Sequence, residues 1–195
     1  MKNICVFASS SDRLDAAYYE LAGELGRRVA QAGCGIVYGA GDDGLMGALA
    51  RGAASLGGRI VGVIPDMMNV PGVVYKACSE LVVTKTMHER KAEMEKRCDA
   101  YVALPGGFGT LEELLEAIAY RQLGLHRKPI AILNIGGFYD PLIAQFDKLE
   151  KERFSTEKSR SAFCVCGDID DVMDCVLNQR PAQSYKKNAL FKEEA

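Results

Sequence analysis

Residues 103–114 read ALPGGFGTLEEL. Gly106, Gly107 and Gly109 crowd a single turn, and Thr110, Leu111, Glu112, Glu113 and Glu116 follow in a helical pattern. Glycine lets backbone come close to a ligand. The first amides of a helix have no partner within the helix, and the helix dipole adds positive potential there. The turn from Gly106 to Thr110 is therefore suited to an anion, with phosphate the natural occupant. Glu113 and Glu116 lie three apart and share a face, which Tyr120 continues. A carboxylate beside a bound phosphate suits a substrate with hydroxyls or a developing cation close by. A purely structural meaning stands next to this one. Thr110 followed by Glu113 has the spacing of a capping box. A capping box does not need Pro-Gly-Gly-x-Gly before it, so a ligand is expected here.

Cations lie upstream, in HERKAEMEKR (88–97). The Arg90 guanidinium can grip phosphate or carboxylate in a fork, and Lys91 offers a point charge. Taken alone, this stretch reads as a solvated helix face. His88 and His126 are isolated and read as surface or structural residues. An earlier turn, YGAGDDGLMG (38–47), places Gly39, Gly41 and Gly44 in a G-x-G-x-x-G match, with Asp66 at about the distance a dinucleotide fingerprint asks. Asp42 and Asp43 would set like charge against a pyrophosphate, and the turn follows the second strand rather than the first. The simpler meaning is that these glycines let a helix approach the sheet.

Around these residues, short apolar runs alternate with amphipathic ones. Strands are expected at 4–9, 34–39, 59–65, 80–85, 100–106, 129–134 and in FCVCG, and helices at 15–32, 44–57, 87–99, 110–124, 139–153 and in DIDDVMDCVLNQ, with an irregular loop at 66–79. Such alternation implies an α/β fold, a Rossmann-like doubly wound parallel sheet with helices on both faces. Ligands in such folds sit at the carboxyl ends of strands. A single domain over 1–180 and a flexible tail over 181–195 are expected.

The chain has 195 residues, 48% hydrophobic and 26% charged, with a net charge of −2. No basic excess points to nucleic acid. Seven cysteines occur, and Cys164 and Cys166 form a lone C-x-C that reads as buried thiols on one strand face. No metal set is expected, and a reducing compartment fits. The apolar stretch near the start is short for a secretory signal, and no run reaches membrane-helix length. A soluble, cytoplasmic protein is expected.

PGGFGTLEE (105–113) matches P-G-G-x-G-T-x-x-E, with MHERKAEM (87–94) upstream and YGAGDDGLMG before that. In order and spacing these resemble the LONELY GUY family of cytokinin-activating phosphoribohydrolases, whose members often carry a lysine decarboxylase label. The likeness runs over about residues 2–177. It implies a Rossmann-like homodimer that cleaves the N-glycosidic bond of a nucleoside 5′-monophosphate, a cytokinin riboside 5′-monophosphate or AMP. The products would be free base and ribose 5-phosphate, with no cofactor. Arg90 and Glu113 match the family's catalytic pair. Arg90, Lys91 and the run Gly106, Gly107, Phe108, Gly109, Thr110, Leu111 and Glu112 match its substrate-contacting segments. Glu116 joins them through its shared helix face. Three departures leave the identity of the base open: Ala40 where the family usually has glycine, and Ala119 and Tyr120 where it often has Thr-Trp. A non-catalytic carrier of nucleotide or molybdenum cofactor on the same fold is the alternative, and it would not need Glu113. A pyridoxal-phosphate decarboxylase would need a Schiff-base lysine, and nothing marks Lys85 or Lys91 as one.

Overall fold

The computed structural model describes residues 1–178, so the expected tail at 181–195 lies outside the described residues. Seven strands, β1 (Asn3–Phe7), β2 (Gly35–Tyr38), β3 (Ile60–Pro65), β4 (Glu80–Thr84), β5 (Ala100–Ala103), β6 (Ile130–Leu133) and β7 (Cys164–Cys166), pair in parallel in the order β4-β3-β2-β1-β5-β6-β7. The described helices are α1 (Ala16–Gln31), α2 (Gly44–Ala54), α3 (Met87–Arg97), α4 (Phe108–Gln122), α5 (Asp140–Lys151), α6 (Glu157–Arg160) and α7 (Ile169–Asn178).

Strand alternation sorts the core into two layers. Ile4 and Val6 of β1 join the cluster built with α1, α2 and α7, and Cys5 and Phe7 join the one built with α3, α4 and α5. The small residues of α2 serve a contact with α1 rather than the sheet alone. A Cβ on Gly52 would lie 2.0 Å from the Gly23 carbonyl oxygen. Of the C-x-C pair, Cys166 is buried and Cys164 half-buried, and both pack in the core layer that holds Cys175.

The strand order decides where a ligand fits. The chain leaves β1 for β2 on one side, then returns to β5 on the other. The loops after β1 and β5 therefore diverge, and a crevice opens between them at the carboxyl edge.

Two expectations change. The signature helix starts at Phe108, with Gly107 as its N-cap and no side-chain cap. Thr110 therefore stands inside the first turn, buried against Gly106, and Glu113 turns to α3 instead of back to the chain. The capping box proposed for 110–113 is absent. One forms at α3, where Thr86 Oγ1 accepts from the Glu89 amide at 3.1 Å and Glu89 Oε2 accepts from the Lys85 amide at 2.8 Å. The short helix α6, unanticipated from the sequence, packs against α5.

Candidate active site

A cleft of about 430 Å³ occupies the crevice. Its walls are the loop after β1 (Ser9, Ser10, Ser11), the glycine turn and first residues of α4 (107–110), and an apolar end made by Ile64, Pro65, Met46, Met68 and Met87. Arg90 and Glu113 form its floor.

The glycine turn is held by its neighbours. The Leu104 amide donates to the Phe7 carbonyl at 3.0 Å, and the Tyr139 hydroxyl donates to the Leu104 carbonyl at 2.6 Å. Leu111 is the first α4 amide to bond within the helix, at 3.0 Å to the Gly107 carbonyl. The amides of Phe108, Gly109 and Thr110 precede it and carry the positive end of the dipole. Nothing lies within 4 Å of where a Cβ on Gly107 or Gly109 would project. The fold leaves room there for a group to approach the backbone.

Arg90 departs from the expected solvated face. It is buried, donates Nε–H to the Val63 carbonyl at 3.1 Å, and donates Nη1–H to Glu113 Oε1 at 2.7 Å. Its path depends on Gly39, because a Cβ at residue 39 would fall 2.2 Å from Arg90 Nη2. Burial pushes the Glu113 carboxyl above the usual range, and the Arg90 charge and hydrogen bond offset only part of that. Lys91 lies one residue on and faces away from the cleft. It pairs with Glu112, and with Glu116 at 3.0 Å. Burial works to lower the Lys91 pKa, but the two carboxylates outweigh it and hold the amine charged. A Schiff-base lysine needs the opposite shift.

The expected residues thus divide. Arg90, Gly107, Phe108, Gly109, Thr110, Glu112 and Glu113 line the cleft. Gly106 packs on Thr110, Leu111 packs on the core, and Lys91 and Glu116 meet between α3 and α4. Ser9, Ser10 and Ser11 escaped the sequence reading, although a polar run at the end of the first strand of an α/β sheet was a signal for them. The first glycine turn takes neither meaning: a Cβ on Gly39 would meet Arg90, one on Gly41 would meet Met46, and one on Gly44 would meet the Ser9–Ser10 backbone. Leu45 and Met46 at the start of α2 donate their amides to the Ser9 carbonyl at 2.9 and 3.3 Å, which removes them as pyrophosphate donors. Asp42 pairs with Arg51 at 2.8 Å. His88 is exposed, and His126 is buried with Nε2 against the Ala117 carbonyl at 3.0 Å, a structural position. Among the described residues no cluster of metal-ligating side chains occurs.

A family model described as "Possible lysine decarboxylase" matches residues 46–176. Cytokinin riboside 5′-monophosphate phosphoribohydrolase LOG2 of Arabidopsis thaliana is 40% identical over 82% of this chain and 75% of its own length. The chain belongs to the LONELY GUY family. Another member of that family, cytokinin riboside 5′-monophosphate phosphoribohydrolase LOG of Oryza sativa subsp. japonica, is 43% identical over 82% of this chain and 66% of its own length. Among solved structures, the molybdenum cofactor binding protein from Rippkaea orientalis superposes with a TM-score of 0.69 at 19% identity, covering 92% of this chain and 98% of that one. At that identity the likeness is one of fold.

Proposed function

We propose that this chain hydrolyses the N-glycosidic bond of a nucleoside 5′-monophosphate, releasing free base and ribose 5-phosphate. The observation that carries this is the Arg90–Glu113 pair on the floor of a cleft whose rim is the unpaired amide turn of α4. The 5′-phosphate sits on the amides from Phe108 to Thr110, with the Ser9–Ser11 loop opposite. That remote contact positions the sugar over Glu113. The base lies toward Met46, Met68 and Met87. As the C1′–N bond breaks, positive charge grows on the sugar, and the Glu113 carboxylate stabilises it. Water attacks C1′ and gives its proton to Glu113, and the departing base takes a proton from solvent. Arg90 orients Glu113 and lowers its pKa against the opposing effect of burial.

The substrates named for the relatives, cytokinin riboside 5′-monophosphates, fit the apolar end of the cleft, and AMP fits the same phosphate and sugar subsites. The test is a panel of nucleoside 5′-monophosphates with free base read by chromatography. Release from none of them would defeat the proposal. A carrier on the same fold would have no use for the buried carboxylate. The protein is further proposed to act as a cytoplasmic homodimer on small molecules, without nucleic acid. Phe108, Leu115, Ala119 and Leu123 form an exposed apolar stripe along α4 that supports self-association. Leu115→Glu with Leu123→Glu should convert a dimer to a monomer in sedimentation. A monomeric wild type would reject the dimer.

A further inference from the structure

A second hollow, of about 20 Å³, lies between α3 and α4. Its polar lining comes from Lys91, Glu95, Glu113, Glu116, Tyr101 and Tyr120. Glu113 is the one residue that lines both this hollow and the substrate cleft. The carboxylate thus stands as a partition, with substrate on one side and a separate opening on the other. A polar hollow of this size holds one water when two or more groups can bond to it.

The neighbours of Glu113 differ in what they can do with a proton. From α3, Arg90 is permanently charged and cannot accept one, and Lys91 is held charged by Glu112 and Glu116. Glu95, also on α3, borders the hollow. From β5 the Tyr101 phenol stays protonated because burial raises its pKa, and from β1 the Cys5 thiol is raised by burial in the same way. On α4, Glu112 points to Lys91, while the Tyr120 hydroxyl donates to Glu116 Oε1 at 3.2 Å. Glu116 and Tyr120 are both part-exposed, so this pair connects the hollow to bulk solvent.

Resting on the hydrolase reading above, we propose that Glu113 returns its proton to solvent through this rear hollow, by way of one water, Glu116 and Tyr120, and not through the cleft. The balance requires such a step. Attack leaves Glu113 neutral with the proton of the water, while ribose 5-phosphate still fills the cleft. The carboxyl must lose that proton before the next attack. It passes to the hollow water, which passes a proton to the Glu116 carboxylate, and Glu116 releases one to solvent beside Tyr120. No net proton is consumed, because the leaving base took one from solvent.

Tyr120→Phe tests this with the Lys91–Glu116 pair intact, and Glu116→Gln tests the acceptor. Both should lower kcat by about threefold or more, raise the solvent isotope effect on kcat, and leave kcat/KM unchanged, because the relay acts after the glycosidic bond has broken. A purely structural role would not move the isotope effect. An unchanged kcat pH profile and isotope effect in both variants would overturn the relay. A second measurement needs no turnover. The ¹³C titration of the Glu113 carboxyl should shift in Glu116→Gln, and an identical titration curve would reject the connection. Wild-type inactivity on every nucleoside monophosphate would sink the proposed function, and the carboxyl titration would still decide whether Glu113 communicates with the hollow.

Discussion

Arg90 and Glu113 meet at 2.7 Å across α3 and α4 with side chains only 11% and 13% exposed. A pair this buried depends on both members. Removing one leaves a desolvated charge, which typically costs about 3–5 kcal/mol. Arg90→Met should therefore destabilise the fold strongly in denaturant titration. Adding Glu113→Gln should restore part of the loss, because the orphaned charge goes with it. Glu113→Gln alone keeps the shape and a hydrogen bond to Arg90 but leaves that charge unpaired, so the fold should survive with lower stability. Release of base should fall by about 10²–10⁴-fold. Wild-type turnover in Glu113→Gln would remove Glu113 from the reaction.

The pH dependence follows from the direction of the Glu113 shift. Burial raises its pKa in the folded state above the value in the unfolded chain. Its contribution to stability is thus fully present below the unfolded pKa and is lost as pH rises through the folded one. Activity runs the other way. The ionised carboxylate is the working form, so kcat should decline on the acid side around a pKa above the ordinary glutamate value. The less destabilising Arg90→Lys, which keeps charge but not the guanidinium fork, should move that limb. An acid limb at or below the ordinary glutamate range would contradict the assignment.

Gly109 separates stability from function. Nothing in the protein approaches a Cβ there, and the residue lies in the first turn of α4. Gly109→Ala should raise stability by roughly 0.5–1 kcal/mol through helix propensity. The added methyl projects toward the proposed phosphate subsite, so KM for a nucleoside monophosphate should rise at least about tenfold. A variant both more stable and fully active would place the phosphate elsewhere.

Ala40 has φ of 63°, a left-handed conformation that costs a residue with a Cβ about 1–2 kcal/mol. Its methyl is buried beside Gly62 and offsets about 0.8 kcal/mol of that. Ala40→Gly should be stabilising by about 0.5 kcal/mol in thermal melting. A clear loss of stability would mean that the methyl contact with Gly62 dominates.

The layered α/β fold was legible because period-two and period-3.6 patterns are local properties of the chain. The Asp15 start of α1 shows this well: its carboxylate accepts from the Ala17 amide two residues on, and that cap forms wherever the helix lies. The glycine turn ahead of α4 was legible for the same reason, since glycines before a helix act over a few residues. The capping box was not. Thr86 with Glu89 and Thr110 with Glu113 share one spacing, and only packing separates them. Glu89 has solvent and its own backbone nearby, whereas Glu113 has a guanidinium from another helix. Arg90 likewise sits among charged neighbours in sequence and looks solvated. It is drawn inward because Gly39, just past the end of β2, leaves space for Nη2 and because Val63 offers a carbonyl. The sequence alone determined the strands, the longer helices and the glycine turn ahead of α4. Tertiary structure decided which charges left water, because burial and pairing depend on strand order and on atoms brought together from distant parts of the chain.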